Sequence, residues 1–267
     1  MDFDFELIAA PFRMQPGLRK LQPGDRQLTP LRQGGALYEE KARVVTAGAS
    51  RLQVPGFDPG PALAAIAARA RREGHADFAP DRLELAFEED FAVLDGETGA
   101  LPWLSVCVPS HWAPEDKLGL PFAAVHAPVA DGATLIAAAA HLVRLATSGE
   151  RWERHVWTVS PSPRHDQHPR RHPRAPWPAD AGDDEAFAHA CWFRAERQTF
   201  LPVEQGTRQA VFTIRVMLAP LADVVDTPAK AARLRAALAS MSPAVLDYKG
   251  LAPAREPLLR WLAGKTG

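Results

Sequence analysis

The chain has 267 residues, 46% hydrophobic and 24% charged, and these proportions exclude intrinsic disorder as its main state because they supply enough apolar surface for a core. Its 31 basic and 32 acidic side chains leave a formal net charge of -1, so bulk charge gives no support to nucleic-acid binding. Two cysteines exclude a disulfide framework, and the short apolar stretches and acidic start indicate neither a membrane span nor a secretory signal, so we expect a cytoplasmic protein.

The first half of the chain combines a weakly patterned arm with helices and short strands. Residues 1–58 have little periodicity and many turn-forming residues, which predicts an N-terminal arm with short elements that packs on a core formed later. Pro61–Glu73 begins with proline and carries an apolar stripe, as expected of a helix, and Asp131 is expected to cap a helix that runs to about Ser148. Apolar runs predict β-strands at 83–87, 91–94, 101–108, 122–126 and 154–160, of which the second and third form a hairpin.

The second half predicts a long loop, two long strands and three helices. The loop covers residues 161–182, which contain six prolines. Strands are expected at 190–201 and 209–218, joined through Gln205–Thr207, and helices at Pro228, at Pro243 with Gly250 as its end, and at 256–263. We therefore predict an α+β fold, an antiparallel β-sheet flanked by helices, with its core at 59–221 and a C-terminal helical extension at 222–267, all in one domain.

The strongest local feature is the charged segment within the first long strand. Alternation places Arg194, Glu196 and Gln198 on one face. Buried charges need partners, and Arg215 on the next strand could join the cluster. One interpretation is a polar pocket in which arginine neutralises an anion and Glu196 holds an amine or relays protons. The other, favoured by how often such strands expose charge, is a solvent-facing surface with cross-strand ion pairs.

Two further segments could contribute to a site. Cys107–Gly119 links a buried strand to a Pro-rich turn, so it either lines a site or packs with Trp112 as a cover on the core. His126 ends an apolar segment before a proline, where an imidazole could project into a cavity and ligate a metal or haem iron. A lone histidine is more often a hydrogen-bonded core residue. Both Cys107 and Cys191 lie in apolar segments and are expected to be small core residues.

Three loop histidines, His165, His168 and His172, have a spacing that suits a transition metal. Arginines lie between and beside them, and their positive charge opposes cation binding. We therefore favour a flexible basic segment over a zinc site. Such a basic segment could dock an acidic partner or an anionic cofactor. The sequence contains no glycine-rich phosphate loop, no Gly-x-Ser-x-Gly and no His-Glu-x-x-His motif, so it does not indicate a nucleotide-binding or hydrolytic site.

Several short sequence blocks, in the same order along the chain as in the family, resemble the haem-dependent oxidative N-demethylases, the dimethylamine monooxygenase α-subunit-like proteins. The two most specific are Pro109–Pro114, which reads Pro-Ser-His-Trp-Ala-Pro, and Glu196–Thr199, which reads Glu-Arg-Gln-Thr. The others are residues 12–18, 117–119, 125–129, 193–195, 211–215 and 248–250. The resemblance implies a PAS-like sheet with one b-type haem, O₂-dependent oxidation of a methylamine to formaldehyde and the shorter amine, and electrons from NADPH through a separate flavin and iron–sulfur reductase subunit.

The resemblance also implies roles for individual residues. His126 would be the axial iron ligand, because among the histidines in family blocks its flanks are apolar enough to shield a haem. Arg194 and Glu196 would line the distal pocket, where the carboxylate holds the substrate ammonium and the arginine stabilises negative charge developing on oxygen. The remaining cofactor contacts would come from Lys117 and Arg215, paired with the haem propionates, and from Trp112 and Arg197.

One departure from the family pattern bears on activity. The family tends to have Arg-x-Asn-Trp on the strand after the long helix, and here Val156 replaces the asparagine. If that asparagine contacts substrate, this protein oxidises another amine, or it has lost the activity and kept the haem. The alternatives to a monooxygenase are therefore a haem-binding sensor or carrier without turnover, and a structural member of a complex that has lost haem.

Overall fold

The computed structural model describes residues 1–75, 80–179, 183–203 and 208–266, and the central element of this part of the chain is a seven-stranded antiparallel sheet. Its strands are β1 Arg19–Lys20, β2 Arg51–Gln53, β3 Glu89–Asp95, β4 Trp103–Ser105, β5 Trp152–Ser160, β6 Trp192–Val203 and β7 Gln209–Pro220. Their order across the sheet is β1-β5-β6-β7-β3-β4-β2. Both edge strands therefore come from the first 58 residues, and the long strands lie inside.

Helices follow or separate the strands. They are α1 Ala36–Thr46, α2 Gly60–Arg72, α3 Leu83–Ala86, α4 Phe122–His126, α5 Ala133–Ala137, α6 Ala139–Ala146, α7 Asp184–His189, α8 Leu221–Val224, α9 Pro228–Ala239, α10 Pro243–Lys249 and α11 Arg255–Gly264. Thr227 and Ser242 cap α9 and α10 through their side-chain oxygens, and Gly250 ends α10 with φ 67°. Within the described ranges, every helix is too short or too polar to cross a bilayer. The predicted α+β class is confirmed.

The pairings of β6 with β5 and β7 define the two faces of the sheet. Side chains alternate along a strand, and Cα partners on adjacent strands point to the same side. The Glu196 face carries Arg154, Val156, Arg194, Gln198, Ile214 and Val216. The Arg197 face carries Glu153, Trp157, Phe193, Arg215 and Met217.

The Arg197 face packs against the C-terminal helices and the beginning of the chain. One core cluster joins Phe193 and Met217 to Leu234 of α9 and Leu258 of α11, and Phe5 of the N-terminal segment belongs to the same cluster. The stacked rings of Phe5 and Phe193 have centroids 5.1 Å apart. Burial of this apolar surface fixes α9 and α11 on the Arg197 face of the sheet.

The structure confirms the hairpin of β3 with β4, the strands β5, β6 and β7, the helix α2 and the three C-terminal helices. The connection predicted at Gln205–Thr207 lies outside the described residues. Two predicted strands are wrong, because residues 83–87 contain α3 and residues 122–126 form α4. Alanines after Pro121 favour the helix in the second case.

Two helix predictions also need correction. Asp131 does not cap a helix: its backbone has φ 54°, and its carboxylate accepts a hydrogen bond from Ser242 Oγ at 2.8 Å. The helical segment begins only at Ala133 and is divided between α5 and α6 at Ala138. Within the N-terminal arm, α1 was not predicted, because the fully buried side chain that anchors it is a lysine, Lys41.

The centre of the Arg197 face is polar. Thr199 and Thr213 share a hydrogen bond of 2.7 Å, and Gln27 Nε2 donates to Thr199 Oγ1 at 2.9 Å. Glu89 is buried beside this group; one carboxylate oxygen accepts from the Thr29 amide at 2.9 Å and, among the described atoms, the other has no hydrogen-bond partner. Burial outweighs this hydrogen bond and raises the pKa of Glu89 to about 7.

We expect Glu89→Gln to stabilise the protein increasingly as the pH rises from 4.5 to 7, and fully above pH 7. The folded-state pKa of Glu89 lies above its unfolded value of 4.5, so the native state favours the protonated carboxyl. Its contribution is complete below pH 4.5 and is lost as the pH rises through 7, which costs the wild type about 3 kcal/mol at most. Urea unfolding at pH 5 and pH 8 measures this.

The difference in free energy of unfolding between Glu89→Gln and wild type should be below about 1 kcal/mol at pH 5 and should approach about 3 kcal/mol at pH 8. Glu88→Gln is the matched control, because Glu88 is partly exposed and accepts a hydrogen bond from Arg215 at 2.7 Å. A difference for Glu89→Gln that is the same at both pH values would contradict the prediction.

Candidate functional site

The Glu196 face has an incompletely covered centre. Several side chains on the interior strands are only half-buried: Arg154, Val156, Gln198 and Phe212. At one end of this region, Phe122 and Val143 pack on Phe200 and Phe212. We call this region, bordered by His126, Glu196 and Tyr248, the central hollow. A separate surface pocket of about 440 Å³, between Trp177 and Pro257, is lined by none of these side chains.

Glu196 is held in a fixed orientation at the hollow. Ser110 Oγ donates a hydrogen bond to one carboxylate oxygen, and Gln198 Nε2 donates to the other at 2.7 Å. Ser110 is in turn held by Arg194, whose Nε donates to Ser110 Oγ at 2.8 Å. The prediction that Arg194, Glu196 and Gln198 share a face is confirmed by the strand pairing, and a serine from the loop 106–112 joins the first two.

Arg194 has few donors left for a ligand. Besides Ser110, its guanidinium donates to the carbonyl oxygens of Arg164 at 3.1 Å and His165 at 2.8 Å, and to that of Val108 at 3.4 Å. The side chain is 1% exposed, and burial lowers its pKa to about 10, so it remains charged at neutral pH. The geometry makes Arg194 a positioning residue that acts on Glu196 through Ser110.

His126 has one ring nitrogen anchored and the other available. Its Nδ1 lies 2.8 Å from the carbonyl oxygen of Phe122, one turn earlier in α4, and the two rings are tilted by 30° with centroids 4.1 Å apart. A carbonyl only accepts, so Nδ1 carries the proton and Nε2 the lone pair. Burial, with the nearby charges of Arg154 and Lys117, lowers the pKa of His126, and the ring is therefore neutral at pH 7.

This state of His126 fits an iron ligand. A metal-binding histidine normally donates its second ring N–H to a carbonyl or carboxylate, which fixes the tautomer and the ring orientation. Within the described part of the chain, Nε2 of His126 forms no hydrogen bond or ion pair. The anchored Nδ1 and the free Nε2 are the donor set that a haem with a histidine axial ligand requires.

Lys117 and Trp112 lie on the same side of the sheet as His126. Lys117 Nζ donates to the carbonyl of Val125 at 3.0 Å, next to His126. Trp112 packs against the core cluster that contains Ile214 and Val216, as expected of a cover on the core. Lys117 therefore remains within range of an anionic group bound near His126.

Arg197 and Arg215 lie on the opposite face. They are Cα partners across β6 and β7. Arg197 donates to Glu153 at 2.8 Å, and Arg215 donates to Glu88 at 2.7 Å. The predicted cluster of Arg215 with Arg194 and Glu196 is wrong, because the register of the two strands puts the sheet between them. Nor does the structure bring Arg197 or Arg215 to the hollow where Lys117 and His126 lie.

The three loop histidines pair with three different carboxylates. His165 Nδ1 lies 3.3 Å from Glu40, His168 Nε2 lies 2.9 Å from Glu115, and His172 Nε2 lies 3.3 Å from Asp166. Among the residues described, no group of three potential ligands could hold a metal ion. Two arginines of the segment also pair with acids, Arg170 with Asp116 and Arg171 with Asp166. The histidines His165 and His168 attach the loop to α1 and to the turn at 114–116.

One residue without an assigned role in the sequence analysis, Arg154, also faces the hollow. Arg154 lies on β5, and its charge acts on Tyr248 and Lys249 at the end of α10, where Glu196 acts as well. Lys249 Nζ donates to the carbonyl of Trp157 at 2.7 Å, and burial lowers its pKa to about 8. The sequence carries no signal that places Arg154 here, because its position beside Gln198 depends on the register of β5 with β6.

Fold and site together define an α+β protein that offers a neutral imidazole and a fixed carboxylate on one face of an antiparallel sheet. Residues 81–259 match the family described as haem-dependent oxidative N-demethylase, alpha subunit-like. This match spans more than half of the chain and includes His126, Glu196 and Arg154. The chain therefore belongs to this family, whose description names haem dependence and an alpha subunit of a larger enzyme.

Proposed function

We propose that this chain is the haem-binding subunit of a cytoplasmic monooxygenase that oxidatively removes a methyl group from a small secondary or tertiary amine. The observation that carries the proposal is the pair of His126, neutral with a free Nε2, and Glu196, fixed by two hydrogen bonds, on the same face of the sheet. The family match is the second support. The products would be formaldehyde and the shorter amine.

Haem b, when bound, would supply the iron at which O₂ is reduced. His126 Nε2 would hold that iron, and its Nδ1 hydrogen bond to Phe122 would orient the ring. Electrons would come from NADPH through a separate flavin and iron–sulfur subunit, in agreement with a family named for its alpha subunit. We also propose, as part of the same function, that the sheet has a PAS-like fold.

Glu196 would bind the substrate ammonium. Its two oxygens already accept hydrogen bonds from Ser110 and Gln198, and a carboxylate has further lone pairs for an N–H donor. Because Arg194 holds Ser110, the carboxylate is oriented before the substrate arrives, which reduces the entropy lost on binding. Val156 is the Cα partner of Glu196 and would present an apolar wall to the amine substituent.

The experiment that tests the function is an absorbance spectrum of the purified chain, with and without dimethylamine. The proposal expects a Soret band, a spectral shift on adding the amine, and formaldehyde release when an electron donor is supplied. A Soret band without a shift or formaldehyde would favour a haem sensor or carrier. Absence of haem from the purified chain, and failure to take it up, would contradict both.

We expect Glu196→Gln to retain haem and to bind amines more weakly. Loss of the carboxylate charge removes a charge-assisted hydrogen bond to the ammonium, which corresponds to roughly 10- to 100-fold in Kd. Spectral titration with dimethylamine measures the change. Glu97→Gln is a suitable control, because that carboxylate is exposed at a hairpin turn. Unchanged amine affinity in Glu196→Gln would contradict the assignment.

A further inference from the structure

Arg154 is a charged residue of the central hollow that the proposed function does not use. It lies at the middle of β5 on the Glu196 face, with Gln198 as its Cα partner. Its Nε is enclosed and lacks a hydrogen-bond partner. Within the described ranges, no hydrogen bond or ion pair is formed by the rest of its guanidinium either. Only the Nε–H is buried, and leaving it unpaired carries a cost, while the half-buried guanidinium presents its remaining N–H donors to an incoming acceptor.

The neighbouring acid does not satisfy Arg154. The negative charge of Glu196 acts on the guanidinium, yet both Glu196 oxygens are turned to Ser110 and Gln198. The other titratable groups close enough to interact electrostatically with Arg154 are His126, Tyr248 and Lys249, of which Lys249 lies over the rings of Phe12 and Trp157. None of these three groups carries a negative charge at pH 7, so none of them can form an ion pair with the guanidinium. Among the described residues, no carboxylate forms an ion pair with Arg154, so the hollow presents a positive charge to an incoming anion.

We propose that Arg154 binds a carboxylate that enters the central hollow. The planar guanidinium favours carboxylates, which accept two parallel hydrogen bonds from it. The inference rests on the proposed function for the source of that carboxylate, which is either a propionate of the haem or the carboxylate of an N-methyl amino acid whose ammonium binds Glu196. In the first case Arg154 takes the propionate-binding role that was predicted for Arg215.

The first test compares Arg154→Met with wild type in the absence of ligand. Methionine keeps most of the side-chain volume and removes the unpaired charge, so the variant chain should have a higher Tm than the wild-type apoprotein. Arg144→Met is the matched control, because Arg144 is exposed on α6, and its Tm should not change. A lower Tm for Arg154→Met would show that the guanidinium is already stabilised by the protein and would overturn the proposal.

The second test measures affinity of the apoproteins for haem and for haem dimethyl ester, which lacks free carboxylates. A propionate partner predicts that Arg154→Met weakens haem binding by about 10- to 100-fold and leaves the ester unaffected. A substrate partner predicts equal haem binding, with the spectral response to N-methylglycine lost and the response to dimethylamine retained.

If Arg154→Met changes neither haem affinity nor the response to N-methylglycine, the proposal is wrong although the chain still binds haem. If the wild type takes up no haem, the proposed function fails, and calorimetric titration with N-methylglycine still tests Arg154. Heat of binding in wild type that disappears in Arg154→Met would support the inference, and equal heats or none in both would reject it.

Discussion

The His126→Ala variant should lose its haem. The imidazole Nε2 is the proposed iron ligand, and Nδ1 of the same ring is hydrogen-bonded to the Phe122 carbonyl at 2.8 Å. Disturbing a group that merely orients a metal ligand costs 10- to 100-fold in affinity, so we expect removal of the ligand itself to cost about 100-fold or more. Haem content after gel filtration, and titration of the apoprotein with haem, measure this loss.

Two controls separate ligation from folding in this experiment. His141→Ala removes an exposed histidine on α6 and should retain haem at the wild-type level. Added imidazole should restore a Soret band to His126→Ala, because a free ring can occupy the space left by the side chain. A second histidine, His111, lies in the family block at 109–114. If His126→Ala retains full haem content, or if haem is lost only on substitution of His111, the assignment of the ligand is wrong.

Alternation along β6 predicted correctly which residues share a face with Glu196, but it did not predict their neighbours on β7. The period of two fixes faces within a strand, whereas a shift of one residue in register exchanges the faces of its partner. The observed register pairs Arg197 with Arg215, so Arg215 lies across the sheet from the hollow. Sequence alone contains no comparable signal for register between strands.

The local structure around His126 was predicted less well than its surroundings. Five residues between Pro121 and Ala127 suit a short strand or a short helix, and the structure has the helix α4. That difference determines the ring geometry, since the helical spacing brings Nδ1 to the carbonyl four residues earlier. The role of His126 as a ligand stays a prediction that its helical geometry supports.

Ser110 and Arg154 illustrate what depends on tertiary contacts. Ser110 acts because its loop folds over β6 and reaches both Arg194 and Glu196. Arg154 is notable for the absence of a protein partner among the described residues, a property that no segment of sequence encodes by itself. The loop histidines are the opposite case, a pattern that is visible in the sequence but does not form the predicted kind of site. Their spacing suits a metal, yet each histidine lies beside a different carboxylate.

The Lys41→Met variant should be strongly destabilised. Lys41 of α1 is fully buried; its Nζ lies 3.0 Å from Asp90 and donates to the carbonyl oxygens of Phe87 and Glu89 at 3.2 and 2.7 Å. Although burial lowers the pKa of the lysine, Asp90 more than compensates and raises it. Methionine would leave the Asp90 carboxylate buried with only the Val108 amide as its donor.

Breaking one side of a buried ion pair typically costs about 3 to 5 kcal/mol, and we expect a loss of that size in the free energy of unfolding by urea. Lys20→Met is the control, because the Lys20–Glu150 pair is exposed and should contribute less than about 1 kcal/mol. The double variant Lys41→Met with Asp90→Asn should recover part of the loss, since it removes the uncompensated charge. A loss below about 1 kcal/mol in Lys41→Met would mean that α1 is held on β3 by apolar packing rather than by this pair.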